Sequence, residues 1–192
     1  MKKIYLLLGF VLLLPLLSFG QSQERIIDFP KVPETRSLKR TGTEQPVATD
    51  EKALALVEIT VNGKAVLPEK AFSAGDDWLK SLTIKLKNVS DKPVSSILVS
   101  FQIPKTETGN NASLGLVFRH NQTKINPTTK EKLVMPDEII ELSMTEKEYD
   151  IAKGVWLQKT GKTVFNQIIL GSVVAMFEDG SSITTIKPPR AQ

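Results

Sequence analysis

From residue 53 onward, apolar and polar side chains alternate in short runs, the two-residue period of strands with one buried face. In LVEITVNGKAVLP, Val57, Ile59 and Val61 alternate with Glu58 and Thr60. Asn62-Gly63 follows and predicts a tight hairpin, because a type I′ turn needs positive φ at both central residues. A second run, Leu79 to Val89, sets Leu82, Ile84 and Leu86 against Thr83, Lys85 and Lys87. A third sets Ile97, Val99, Phe101 and Ile103 against Leu98, Ser100 and Gln102. NVSDKP turns the chain between them. Its Asn, Ser and Asp side chains can satisfy turn backbone groups, and Pro93 can open the next strand without donating to a ladder. LGLVF (114–118), EIIELSM, FNQIILGSVVAMFE and SSITTI predict four more strands, the last two joined by a turn at Asp179-Gly180.

One segment changes period. Thr145 and Glu148 form a capping box that opens TEKEYDIAKGVWLQK. Tyr149, Ala152 and Trp156 fall at helical spacing and are expected to face the sheets, with Gly154 shortening the helix to about residues 145–157. Closely spaced strands without a βαβ rhythm predict a mainly β fold, an antiparallel sandwich with one short helix inserted before the last two strands. A small barrel shares the pattern, and only pairing order separates the two.

Outside the alternating region the composition shifts. The chain opens with Lys2 and Lys3, an apolar stretch from Ile4 to Leu17, and Ser18-Phe19-Gly20. This predicts a secretory signal over 1–20, cleaved after Gly20. The apolar stretch is short for a membrane span and contains Pro15, so a retained anchor is the lesser reading. Residues 21–52 carry three Pro, six basic and six acidic residues, and predict a disordered leader in which RIIDF is the one apolar spot. The sandwich domain is expected over 53–187, with 188–192 an exposed tail. The chain is expected to be exported, to the periplasm or beyond, with no stable membrane insertion after cleavage.

Charge and cysteine usage narrow the classes further. The chain has 25 Lys and Arg against 21 Asp and Glu; without Lys2 and Lys3 the balance is 23 to 21, a net charge of +2. So slight an excess gives no case for nucleic acid as a partner. There is no Cys, so the fold is held by its core without disulfides.

The stretch Phe72 to Pro93 carries a family pattern. Phe72, Ala74, Gly75, Asp77, Trp78, Leu79, Asn88, Ser90, Lys92 and Pro93 match an F-x-A-G-x-D-W-L-K…K-N-x-S-D-K-P signature, and Phe177, Asp179 and Gly180 match an F-x-D-G turn. In both, the chain resembles uncharacterised exported bacterial proteins with an immunoglobulin-like β-sandwich. Ser181-Ser182-Ile183 departs from that pattern, having no Trp after the turn. The resemblance covers about a quarter of the chain. It implies an immunoglobulin-like sandwich and an exported location, and no activity.

Chemistry in the sequence is sparse. His120 is the one histidine and lies where a strand enters a polar loop, without a G-x-S-x-G elbow elsewhere. With no Cys and one His, a structural zinc site has no ligand set. The acidic pairs Asp76-Asp77 and Glu178-Asp179 lack the spacing of a calcium loop, and Asp77 reads as a cap before Trp78. Trp78 and Trp156 lie in apolar patterns and read as core. No catalytic, cofactor or metal residue is expected. Arg119, Lys124, Lys130 and Lys132 make the loop around 119–132 locally basic, the candidate binding residues. The function expected is a non-enzymatic exported binding or envelope-assembly module whose partner is a protein or an envelope polymer. Two alternatives are a carbohydrate- or envelope-polymer-binding domain that uses an exposed Trp, and a cryptic hydrolase.

Overall fold

The computed structural model describes residues 22–32, 34–109, 114–120, 132–188 and 190–191. Its elements, in chain order, are β1 (Gln23–Asp28), β2 (Arg36–Arg40), β3 (Val47–Thr49), β4 (Leu54–Val61), β5 (Lys64–Val66) and β6 (Ala71–Ala74). A 3-10 turn (Trp78–Ser81) leads into β7 (Leu82–Asn88) and β8 (Val94–Ile103). The helical turn α1 (Lys105–Thr108), β9 (Leu114–His120), β10 (Ile139–Ser143), the helix α2 (Glu146–Thr160), β11 (Gln167–Phe177) and β12 (Ser182–Ile186) complete it. The strands form two sheets. The smaller runs β10-β7-β4-β5; in the larger, β11 is the hub, with β8 and then β9 on one side and β12, β2 and β3 on the other.

Alternation sets the core. Leu82, Ile84 and Leu86 of β7 and Ile97, Val99, Phe101 and Ile103 of β8 are all buried, and one apolar cluster draws on both sheets. The fold is therefore mainly β and sandwich-like. The hairpin at Asn62-Gly63 joins β4 to β5, both residues at positive φ (52° and 71°). The turn between β11 and β12 is of another kind. Only Gly180 has positive φ (77°), its N–H donates to Phe177 O (3.1 Å), and Phe177 N–H donates to Ser181 O (2.9 Å).

Four expectations are corrected. Residues 21–52 are not a disordered leader as far as they are described, for they supply β1, β2 and β3. The larger sheet is not wholly antiparallel, because β1 pairs in parallel with β11 through Ile26–Gln167, Ile27–Ile168 and Asp28–Ile169. The end of the chain is not a free tail. Pro188 is buried, Arg190 bridges to Leu56, and Ala191 N–H donates to Leu56 O (2.8 Å). Val57 does not share the inward face of Ile59 and Val61. A bulge between Leu56 and Glu58 shifts the phase, so Leu54 and Leu56 face in before it and Ile59 and Val61 after it.

The helix keeps its predicted start and runs longer. Thr145 Oγ1 accepts from Glu148 N, and the Glu148 carboxylate accepts from Thr145 N (2.8 Å), both halves of the capping box. Gly154 does not end it. Gly161, at φ 71°, does, donating its N–H to Leu157 O (2.9 Å). Tyr149 and Trp156 are buried and Ala152 packs against the core, as the spacing predicts. Among the described residues no helix is long and apolar enough to cross a membrane. The expected signal over 1–20 lies outside the described residues.

Candidate functional site

Two turns that are 87 residues apart in sequence meet at one end of the sandwich. In the first, Asn88 is fully buried and organises NVSDKP. Its Oδ1 accepts from Ser90 N (3.0 Å) and Ser90 Oγ (2.7 Å), while its Nδ2 donates to the Lys92 and Val134 carbonyls (2.9 Å each). In the second, Asp179 Oδ1 accepts from Ser181 N (2.8 Å) and from the Ser181 hydroxyl. The turns are joined by Lys92, whose ammonium lies 3.3 Å from Asp179 Oδ2 and 5.9 Å from the centroid of the Phe177 ring. The Ser181 bonds, with Lys92 adding to them, lower the Asp179 carboxyl to about 2.

Between these turns, β2 and residues 51–52 lies a cleft of about 410 Å³, lined by Lys39, Glu51, Lys52, Lys92, Asp91 and Phe177 among others. Lys39 points inward from β2 and grips Glu51 at 2.6 and 2.9 Å. Lys52, next to Glu51 in sequence, is exposed and lines the same cleft, as does the exposed Val89. Three ammonium groups thus stand among Glu51, Asp91 and Asp179. Such a near balance suits a partner segment carrying both signs better than a polyanion.

A second cluster, at residues 75–78, turns out to be a structural joint. Arg25 is fully buried on β1; its Nη2 donates to Asp76 Oδ1 (2.9 Å), and its Nη1 donates to Phe165 O (3.2 Å) and to Asn166 Oδ1. The Trp78 indole N–H donates to the same Phe165 carbonyl (2.8 Å). Asp77 turns the other way and accepts from Tyr149 OH (2.9 Å) and Lys153 Nζ (3.0 Å) of α2. These two bonds lower the Asp77 carboxyl, while burial and the Asp77 bond raise the Tyr149 phenol. The adjacent carboxylates therefore clamp two different elements. The buried guanidinium has partners at Nη1 and Nη2, the Asp76 carboxylate among them, while its Nε has none among the described residues.

The basic residues expected to bind are only partly brought together. Arg119 is exposed on β9. Lys132 is exposed and paired with Glu138 (2.7 Å), a contact that, with the Met135 N–H, lowers the Glu138 carboxyl. Lys124 and Lys130 lie outside the described residues. His120 ends β9 and donates from Nε2 to Lys132 O (3.1 Å), so its described role is to tie that strand end to residue 132. Trp78 and Trp156 are each only 1% exposed, which removes both as sugar platforms. Sequence reasoning missed the cleft because its walls are turns read separately. Compared with protein-family models, with curated proteins and with solved structures, the chain matches none.

Proposed function

We propose that the chain is an exported, non-enzymatic binding module, an immunoglobulin-like sandwich that engages a protein partner in envelope assembly through the cleft between its two turns. The observation that carries this reading is the Lys92 bridge, which brings NVSDKP and FEDGSS to one surface and leaves Lys52, Val89 and Asp91 on its rim. Preformed turns suit recognition: their backbones are already held by Asn88 and Asp179, so little ordering entropy remains to be lost on binding. Mixed charge around an aromatic floor suits a polar protein segment. The buried indoles weigh against the sugar-platform alternative.

The test is retention from solubilised envelope proteins on the immobilised chain. The wild type and a Lys64→Glu control, altered on the distant β4–β5 hairpin, should retain the same partner. Lys52→Glu/Lys92→Glu should lose it while still folding cooperatively, with melting lowered only by loss of the Lys92–Asp179 contact. Equal retention by all three would overturn the assignment of the cleft.

A further inference from the structure

The outer face of the larger sheet is electrostatically two-ended. Side chains that face outward alternate with the buried ones along each strand, and the register places them in rows. One row crosses Arg119, Leu98, Val174, Thr184, Leu38 and Ala48. The next toward the β11–β12 turn holds Ser96, Met176, Ser182 and Arg40. At the opposite end, Ile26 stands beside Gln167, Asp28 beside Ile169, and Glu24 beside Ser73. Arg36 and Arg40 thus mark one end; Glu24 and Asp28 mark the other. Glu178, in the turn, stands near the arginine end, and Asp28 accepts a hydrogen bond from Gln167 Nε2. Shallow grooves lie on both sides of Glu24, one lined also by Glu107, whose carbonyl accepts from Lys162 Nζ (2.9 Å). The arginine end is also partly apolar, with Leu38 37% and Met176 42% exposed.

The geometry points to a second copy of this chain as the occupant of the face, packed sheet on sheet about a twofold axis that lies between the faces and crosses the strands. This inference does not depend on the cleft. β1 and β12 occupy the same side of β11, at its start and its end, so their columns coincide under such an axis. β1 runs parallel to β11; β2, antiparallel to β12, does too. Arg36 and Arg40 are four residues apart on β2, and so are Glu24 and Asp28 on β1. Each pair spans about 13 Å at ~3.3 Å per residue. The twofold lays β1 of one copy over β12 of the other, with β2 the next strand out. Asp28 and Glu24 so come level with Arg36 and Arg40 and one strand spacing, about 4.8 Å, to their side, within reach of the long arginine side chains, and symmetry repeats both contacts. An isologous contact needs a self-complementary patch, and a face with opposite charges at its two ends is one.

Sedimentation of the chain from Gln21, over a concentration series at low and high salt, tests this. The wild type should form a dimer that weakens with salt. Arg36→Glu/Arg40→Glu and, separately, Glu24→Arg/Asp28→Lys should each weaken self-association by roughly a hundredfold. Mixing the two variants should restore a dimer holding one copy of each, since every like-charge contact becomes an opposite one. A wild type that stays monomeric, a variant that still dimerises, or a mixture of folded variants that does not associate would overturn the proposal. Should the β1 variant melt early, the β2 variant decides alone, because Arg36 and Arg40 are both exposed and bear on no core contact.

Discussion

Arg25 Nη2 lies 2.9 Å from Asp76 Oδ1, so the first described strand is locked to the turn that precedes Trp78. The lock makes residues 23–49 part of the domain. Ile27 and Phe29 are buried beside it, each the kind of side chain whose burial contributes ~1.5–3 kcal/mol. A chain that starts at Ala53 should therefore fail to unfold cooperatively in denaturant. Arg25→Ala in the full chain should cost ~2–4 kcal/mol, less than stranding a buried partner would, because Asp76 stays solvated. A truncated chain with a wild-type melting transition would refute the lock.

Trp78 packs edge-on against Phe72 (5.4 Å between centroids, 74°) and spends its N–H on Phe165 O. Trp78→Ala should lower stability by ~3–5 kcal/mol, as for other buried aromatic truncations. Trp78→Phe keeps most of the packing and loses the hydrogen bond, so ~1–2 kcal/mol is expected. Denaturant midpoints check both values, and iodide should quench Trp78 fluorescence weakly in the folded protein.

Acid sensitivity should trace to Asp179. Its folded value, about 2, lies below its ordinary 3.8. A depressed carboxylate contributes stability that is fully present above its unfolded value and is lost as pH falls through its folded value. The window is therefore about pH 4 down to about pH 2. Asp179→Asn should flatten the fall in melting temperature across that window and leave the curve above pH 5 parallel to the wild type. An unchanged acid limb would show that the Ser181 and Lys92 contacts do not favour the ionised form.

His120→Ala should change stability by ~0.5–1 kcal/mol, the worth of one half-exposed hydrogen bond to Lys132 O. Partner binding by the variant should match the wild type, since the imidazole lies outside the cleft. Retained folding with lost binding would move the functional site to the 119–132 region.

The strands from 82 to 103 were readable because each has one buried face and Asn88 ends the first in a recognisable turn. β1 was not, because Arg25 occupies an inward position where a hydrophobic residue is expected. Its partners, Asp76 and Phe165, lie 51 and 140 residues away, beyond any local pattern. The Val57 bulge reversed a phase that alternation alone carries straight through. The cleft was legible only as two unrelated turns, since Lys92 and Asp179 meet through sheet topology rather than sequence proximity.

The claim that the cleft between the turns is the partner-binding surface is tested most directly by site-specific photocross-linking in cells. A photoreactive residue replacing Val89, on the cleft rim, should form a single cross-linked product in the envelope fraction. That product should vanish when Lys52→Glu/Lys92→Glu is added, and the same probe at Lys64 should form none. Equal products from both positions, or a Val89 product indifferent to the lysine changes, would contradict the account.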